Sequence, residues 1–210
     1  MELQYYGANC LRINTKKSQI IVDDNLDELG QKSVSKNGDI AIFTNLEHKA
    51  APKKDFKISL DSPGEYEVSG VSIKGISARS HMDEEGQNSA IIYKIVANDI
   101  SLAVTGHIYP DLDDKQLEEL GVIDVLVIPV GGNGYTLDGV GARKIIKEIE
   151  PKLIIPTHFD ESGINFPVPQ QTLEQALKAL SMEPAETVPK LKIKPADLDD
   201  TTRLIVLEKN

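Results

Sequence analysis

Short apolar runs separated by turn residues fill the first half of the chain. Leu3 to Tyr6 and Cys10 to Asn14 flank Gly7-Ala8-Asn9, and Gln19 to Val22 ends at Asp23-Asp24. Asp39 to Thr44 follows Asn37-Gly38. Glu65 to Val68 and Val71 to Ser77 flank Ser69-Gly70, and Ala90 to Val96 and Ile100 to Thr105 flank Asn98-Asp99. Runs of this length between such residues predict strands, and the two-residue breaks predict tight hairpins.

The second half alternates. Asp113 to Leu120 predicts a short helix with Leu117 and Leu120 on one face, followed by an apolar strand from Asp124 to Val130. Asp138 can cap a helix running to about Ile149, because Ala142, Ile145, Ile146 and Ile149 recur at helical spacing. Leu153 to Pro156 predicts a buried strand, Gln170 to Leu180 an amphipathic helix and Thr202 to Leu207 a final strand. Pro184 to Pro195 reads as an irregular, strand-like tail. Many strands with helices inserted late predict a layered α/β sandwich. No linker or repeat interrupts the 210 residues, so residues 1–210 are expected to form a single domain.

Composition narrows the function classes. Met1 to Ile13 has neither a basic start nor a long apolar stretch, so it does not read as a signal peptide. No run reaches the roughly 20 apolar residues of a membrane helix. One cysteine, Cys10, allows no internal disulfide, and a cytoplasmic location is expected. The net charge of −10 repels phosphate backbones and argues against nucleic acid as a partner. The one basic cluster, Lys49, Lys53, Lys54 and Lys57, reads as a solvated loop. A small-molecule substrate remains the expected partner, and homo-oligomerisation stays open.

The chemistry rests on four histidines, His48, His81, His107 and His158, each just beyond a predicted strand. Strand-end loops are where a rigid scaffold places functional groups, and neutral imidazole is the commonest metal ligand. A lone strand-end histidine is more often a surface or hydrogen-bonded residue; the recurrence is what suggests a shared metal site. Gly131-Gly132-Asn133-Gly134 follows a strand but has neither P-loop nor dinucleotide spacing, so it reads as a turn, with lining of a site rim as the alternative. Cys10 reads as a small buried residue and Asp23-Asp24 as a strand-end turn.

The run from Ile123 to Gly132 (Ile-Asp-Val-Leu-Val-Ile-Pro-Val-Gly-Gly), then Tyr135-Thr-Leu-Asp138, then Ile149 to His158 (Ile-Glu-Pro-Lys-Leu-Ile-Ile-Pro-Thr-His) resembles the metallo-β-lactamase fold superfamily. Within it, the branch of ascorbate-lactonase-like metal-dependent hydrolases is the most similar. Gly7, Ile21-Val-Asp23 and Gly64-Glu-Tyr-Glu-Val68 extend the resemblance, which covers Leu3 to about Asp160. It implies a four-layer αββα sandwich with a site at one edge between the sheets.

The resemblance also implies a two-metal site opening with His-x-His-x-Asp-His after a strand-end threonine. Thr44 matches the threonine, but Asn45 and Glu47 stand for the first two histidines, Lys49 for the aspartate and Ala50 for the last histidine. His48 falls on a variable position. His81 and His158 match later ligands, His107 stands where a bridging aspartate is expected, and Asp23 matches a supporting position. The expected centre is therefore altered. At most one metal, zinc or else iron or manganese, would be held by Glu47, His81, His107 and His158, in a hydrolase of a small ester, lactone or phosphoester. The alternative is a metal-free, non-catalytic relative that serves as a ligand-binding or assembly module.

Overall fold

A computed structural model of the chain describes residues 1–45 and 54–210. Two sheets face each other. The first has the strand order β13-β1-β2-β3-β4-β5, where β1 is Glu2–Gly7, β2 Cys10–Asn14, β3 Gln19–Val22, β4 Ile40–Ile42, β5 Ile58–Leu60 and β13 Leu191–Lys192. The second has the order β12-β14-β11-β10-β9-β8-β7-β6. Its strands are β6 Gly64–Val68, β7 Val71–Ala78, β8 Ala90–Ala97, β9 Ile100–Val104, β10 Val125–Pro129, β11 Leu153–Thr157, β12 Pro184–Val188 and β14 Arg203–Leu207. Helices α1 (Asp114–Leu120), α2 (Gly139–Ile149) and α3 (Leu173–Leu180) accompany the larger sheet, α1 against β7 and α2 between β10 and α3. The fold class is α/β, as expected.

Period-two alternation assigns the faces of the smaller sheet. Leu11, Ile13, Ile20, Val22, Ile40 and Ile42 point into the main core shared with the larger sheet. Cys10, Ile21 and Ala41 point the other way, into a second cluster with Leu26, Leu29, Phe43 and Ile164. Cys10 is buried there as a small apolar residue. Both faces are thus covered, and among the described residues the outer cover is a 3-10 turn at Leu26–Leu29 with irregular chain. Arg12 also points outward yet is buried. It forks onto Asp39 (Nη1–Oδ1 3.2 Å, Nη2–Oδ2 3.1 Å) and also donates to the Gln19 side chain and the Val34 carbonyl.

The hairpins follow their turn residues. Ser69 (φ 53°) with Gly70 (φ 73°), and Asn98 (φ 53°) with Asp99 (φ 59°), adopt the left-handed pairs of a primed turn. Asp113, Asp138 and Thr172 cap α1, α2 and α3 with their side chains. The last helix starts at Leu173, later than the expected Gln170, because the chain before Thr172 is drawn into the site. The tail is more regular than expected: β12 lies parallel to β14 at the edge of the larger sheet, and β13 pairs with β1 in the smaller one.

Strand direction decides where the loops emerge. β9, β10 and β11 are parallel, and β7 runs with them because both β7 and β9 are antiparallel to β8. The ends of β7, β9, β10 and β11 therefore open on one edge. The smaller sheet contributes its β1–β2 turn, Asp23 after β3 and Thr44 after β4 to the same edge. The contacts are His158 N to the Ala8 carbonyl (2.7 Å) and Ile91 N to the Thr44 carbonyl (2.8 Å).

Candidate active-site edge

His107 follows β9 and His158 follows β11, and both are buried. Their Nε2 atoms stand 3.0 Å apart, with rings nearly perpendicular at 85°. His158 takes a left-handed backbone (φ 56°), held by its N–H bond to Ala8. Its Nδ1 lies 3.2 Å from Gln170 Oε1, while Gln170 Nε2 donates to the Val168 carbonyl. The amide is oriented by that second bond, so His158 donates from Nδ1 and keeps its lone pair on Nε2. Tyr135 stacks edge-on against His107 (5.1 Å between centroids) and Phe166 packs on His158 (4.9 Å).

Two glycines make this approach possible. A Cβ on Gly131 would stand 2.1 Å from both the His158 carbonyl and Gln170 Oε1. A Cβ on Gly106 (φ +58°) would stand 2.1 Å from Thr44 Oγ1. Asp23, also left-handed (φ 43°), receives Thr44 N on Oδ1 (2.7 Å), and on Oδ2 both the Thr44 hydroxyl (2.5 Å) and Asn9 Nδ2 (2.6 Å). Asn9 in turn accepts from the Thr157 hydroxyl (2.8 Å). Asp23 so ties the ends of β2, β4 and β11 together. Asp24 turns the other way and accepts from Ser33, Val34 and Ser35, so these two acids do not act as a pair.

His81 lies after β7 and is tied to the same edge by backbone: its N–H donates to the His107 carbonyl (2.8 Å). Its ring lines a different cavity, of about 340 Å³, with Thr136, Asp138 and the Gly132–Gly134 loop. Burial makes His81 harder to protonate than an ordinary histidine, and nearby Arg79 adds to this; the Ile108 backbone and Asp138 oppose it. Tyr5, beneath the His158 turn, donates to Glu161 Oε2 (2.8 Å) and the Ala8 carbonyl (3.0 Å). Burial pushes both the Tyr5 hydroxyl and the Glu161 carboxyl up.

Of the residues expected from sequence, the structure brings His107 and His158 together and leaves His81 outside that pair. Among the described residues no three His, Cys, Asp or Glu side chains group as a metal site would. Glu47, His48, Lys49 and Ala50 lie outside the described residues. Gln170, Tyr135, Phe166 and Asn9 were not read as site residues. Tyr135 had a signal, the glycine-rich stretch before it; Gln170 had none, since only the fold returns it to His158. The glycine-rich stretch lines the cavity beside His81.

The family model described as the beta-lactamase superfamily domain matches residues 2–158. The chain belongs to the beta-lactamase superfamily. As a superfamily member it is 40% identical over 48 residues to a UPF0173 metal-dependent hydrolase of Carboxydothermus hydrogenoformans, a match spanning 23% of this chain and 21% of that protein. Its fold is that of a metallo-beta-lactamase superfamily protein of Thermotoga maritima (TM-score 0.76, 22% identity, 99% of both chains). A metallo hydrolase of Ignicoccus hospitalis has the same fold (TM-score 0.64, 16% identity, 100% of this chain and 95% of that one). In this chain that fold carries an edge where two imidazoles meet. No helix of the described residues is long and apolar enough to cross a membrane.

The donor set decides how well a metal fits. Zn–N bonds of about 2.0–2.1 Å place two tetrahedral imidazole nitrogens roughly 3.3 Å apart. The 3.0 Å span of His107 and His158 is close to that. A zinc centre takes three or four protein donors, however, and the described residues bring two to this point. They do not fit a two-metal centre. Among the described residues alone, the donors are too few for a zinc centre.

Proposed function

We propose that the chain is a hydrolase-like superfamily member with an altered centre. It holds at most one metal, through His107, His158 and Glu47, and acts on a small ester, lactone or phosphoester in the cytoplasm. The observation that carries this reading is the 3.0 Å approach of the two Nε2 atoms, with Gln170 fixing the His158 tautomer. A bound zinc, iron or manganese ion would supply Lewis-acid polarisation and a more acidic water. The chain's own part is positional. Gln170 presents the His158 lone pair, Asp23 holds the strand ends in register, and Tyr135 and Phe166 flank the imidazoles.

Elemental analysis tests it after metal-free purification and reconstitution with zinc, iron(II) or manganese. One equivalent, lost in His158→Ala, is the expected result. Two equivalents, or none, would sink the proposal. Turnover of an ester, lactone and phosphoester panel then identifies the substrate class.

One observation favours a second reading, a non-catalytic binding or assembly module. The space beside His107, His158 and Tyr135 is about 10 Å³. That is room for about one water, not for a substrate. Metal-dependent turnover abolished by His158→Ala would exclude this reading.

A further inference from the structure

The strand ends opposite the histidines hold another cavity, of about 400 Å³. That volume lies within the range of small-molecule sites. β3 and β4 are parallel and lead to Asp23 and Thr44 at the histidine edge. The cavity lies at their beginnings, between the β2–β3 turn, the chain entering β4, and Lys57 before β5. Lys16, Lys17 and Lys57 line it, and all three are exposed, so their ammonium groups can reach a ligand there. The Ser69-Gly70 turn gathers two of them. Lys57 Nζ donates to Ser69 Oγ, and a Cβ on Gly70 would stand 3.5 Å from Lys17 Nζ. Among the described residues none of the three forms an ion pair. In a chain of net charge −10, this is a local excess of positive charge whose members repel one another.

The hydrogen-bonding groups around the cavity are just as one-sided. Asp39 is the one acid in its lining, and Arg12 occupies both carboxylate oxygens (3.2 and 3.1 Å) while the Lys36 N–H donates to Oδ2 (2.8 Å). Gln19 Oε1 accepts from Arg12 (3.1 Å), which leaves the Gln19 amide nitrogen as a donor. Asn37 Oδ1 accepts the Asp55 N–H (3.2 Å), which leaves the Asn37 amide nitrogen likewise. The Thr15 hydroxyl accepts the Ser18 N–H (2.9 Å) and donates to the Ser18 carbonyl (3.0 Å), and the Ser18 hydroxyl is buried. The side-chain groups left uncommitted are therefore donors, three of them charged. No aromatic or aliphatic residue lines the cavity, so neither a nucleobase nor an acyl chain finds a surface to pack on. A phosphoryl group brings three acceptor oxygens and up to two charges to one centre, which suits several ammonium groups.

We infer that this cavity binds a small hydrophilic phosphate, either free phosphate or the phosphate monoester of a small polyol, through Lys16, Lys17 and Lys57 with amide donors from Gln19 and Asn37. The site is separate from the His107–His158 pair and does not require a metal.

The test follows backbone amide shifts of the full chain, labelled with ¹⁵N. It is titrated with inorganic phosphate and with glycerol 3-phosphate, and with acetate and glycerol as controls. Both phosphates should perturb residues 15–19 and 37–39, and the controls should not. Tighter binding of glycerol 3-phosphate assigns the site to a monoester; equal or weaker binding assigns it to free phosphate. Lys17→Gln and Lys57→Gln should each weaken binding about fivefold, the scale of one exposed ion pair. The double variant should bind phosphate no better than acetate, and Lys17→Arg should retain binding. Raising the ionic strength from about 0.05 to about 0.3 M should weaken binding severalfold. His158→Ala should bind as the native chain does, which separates this cavity from the histidine edge. Four results would overturn the inference: shifts centred on His107 and His158, unchanged affinity in the double variant, no saturable binding of either phosphate at millimolar concentration, or tighter binding of single-stranded RNA or anionic lipid vesicles than of the small phosphates.

Discussion

The two sides of the strand-end edge are built on opposite plans. On the His107–His158 side almost every group is fixed by another. Imidazole meets imidazole at 3.0 Å, Gln170 orients one ring, Asp23 gathers three donors, and two glycines clear the space. On the His81 side the backbone is anchored but side-chain polar atoms are left over, around a cavity of about 340 Å³. Both sides descend from strands pointing the same way, so strand direction does not explain the difference. The loops do. The β11 loop folds back through Phe166 and Gln170 onto its own histidine, whereas the β10 loop bows outward through Gly132, Asn133 and Gly134, all left-handed (φ 70°, 56° and 72°). A dense network of paired groups favours one fixed geometry.

The comparison breaks most severely at Gly131. Alanine there would put a methyl 2.1 Å from a backbone carbonyl that cannot swing away, the one at His158. Gly131→Ala is expected to cost about 3 kcal/mol of stability, at the upper end of overpacking effects, read from the urea midpoint. The His107–His158 approach should open with it. A variant as stable as the native protein would mean the edge is far more compliant than its packing implies. The next effect is at Gln170. Gln170→Leu leaves the buried His158 Nδ1–H without its acceptor, a loss of about 1–3 kcal/mol. The His158 tautomer should also shift, visible in imidazole nitrogen chemical shifts. An unchanged tautomer would show that Gln170 does not orient the ring.

How far the sequence could be read depends on whether a feature is local. Ser69-Gly70 and Asn98-Asp99 named their hairpins because the turn chemistry lies in the turn itself, and Asp113 and Asp138 named their helices in the same way. Ile58–Leu60 was not expected as a strand: three residues beside a lysine cluster carry too little periodicity to register. The site was legible as a set of strand ends and not as a geometry. His107 and His158 are 51 residues apart, and their meeting depends on β10 lying between β9 and β11. His81 showed the same strand-end signal, yet its ring belongs to another cavity, since position after a strand does not fix the direction of a side chain. Arg12 was equally opaque. A basic residue in a half-polar strand reads as solvent-facing, and only the fold reveals Asp39 beneath it.

The smallest expected effect sharpens the contrast from the His81 side. Burial holds the folded-state pKa of His81 below its ordinary value of 6.5. Between the two values the unfolded chain binds the proton more readily, so stability rises with pH across that window. Its contribution is present in full above about pH 6.5. It declines as the pH falls below that value and is gone once the pH has passed the folded-state pKa. Urea unfolding of the native chain and of His81→Gln at pH 5 and pH 7 isolates this part, because the other titrating groups are common to both. The native chain should lose more stability on acidification than the variant. A larger loss in the variant would reverse the sign and mean that His81 is protonated with a partner in the folded state. In that case the polar groups on this side would be satisfied after all, and the two sides of the edge would differ only in their shape.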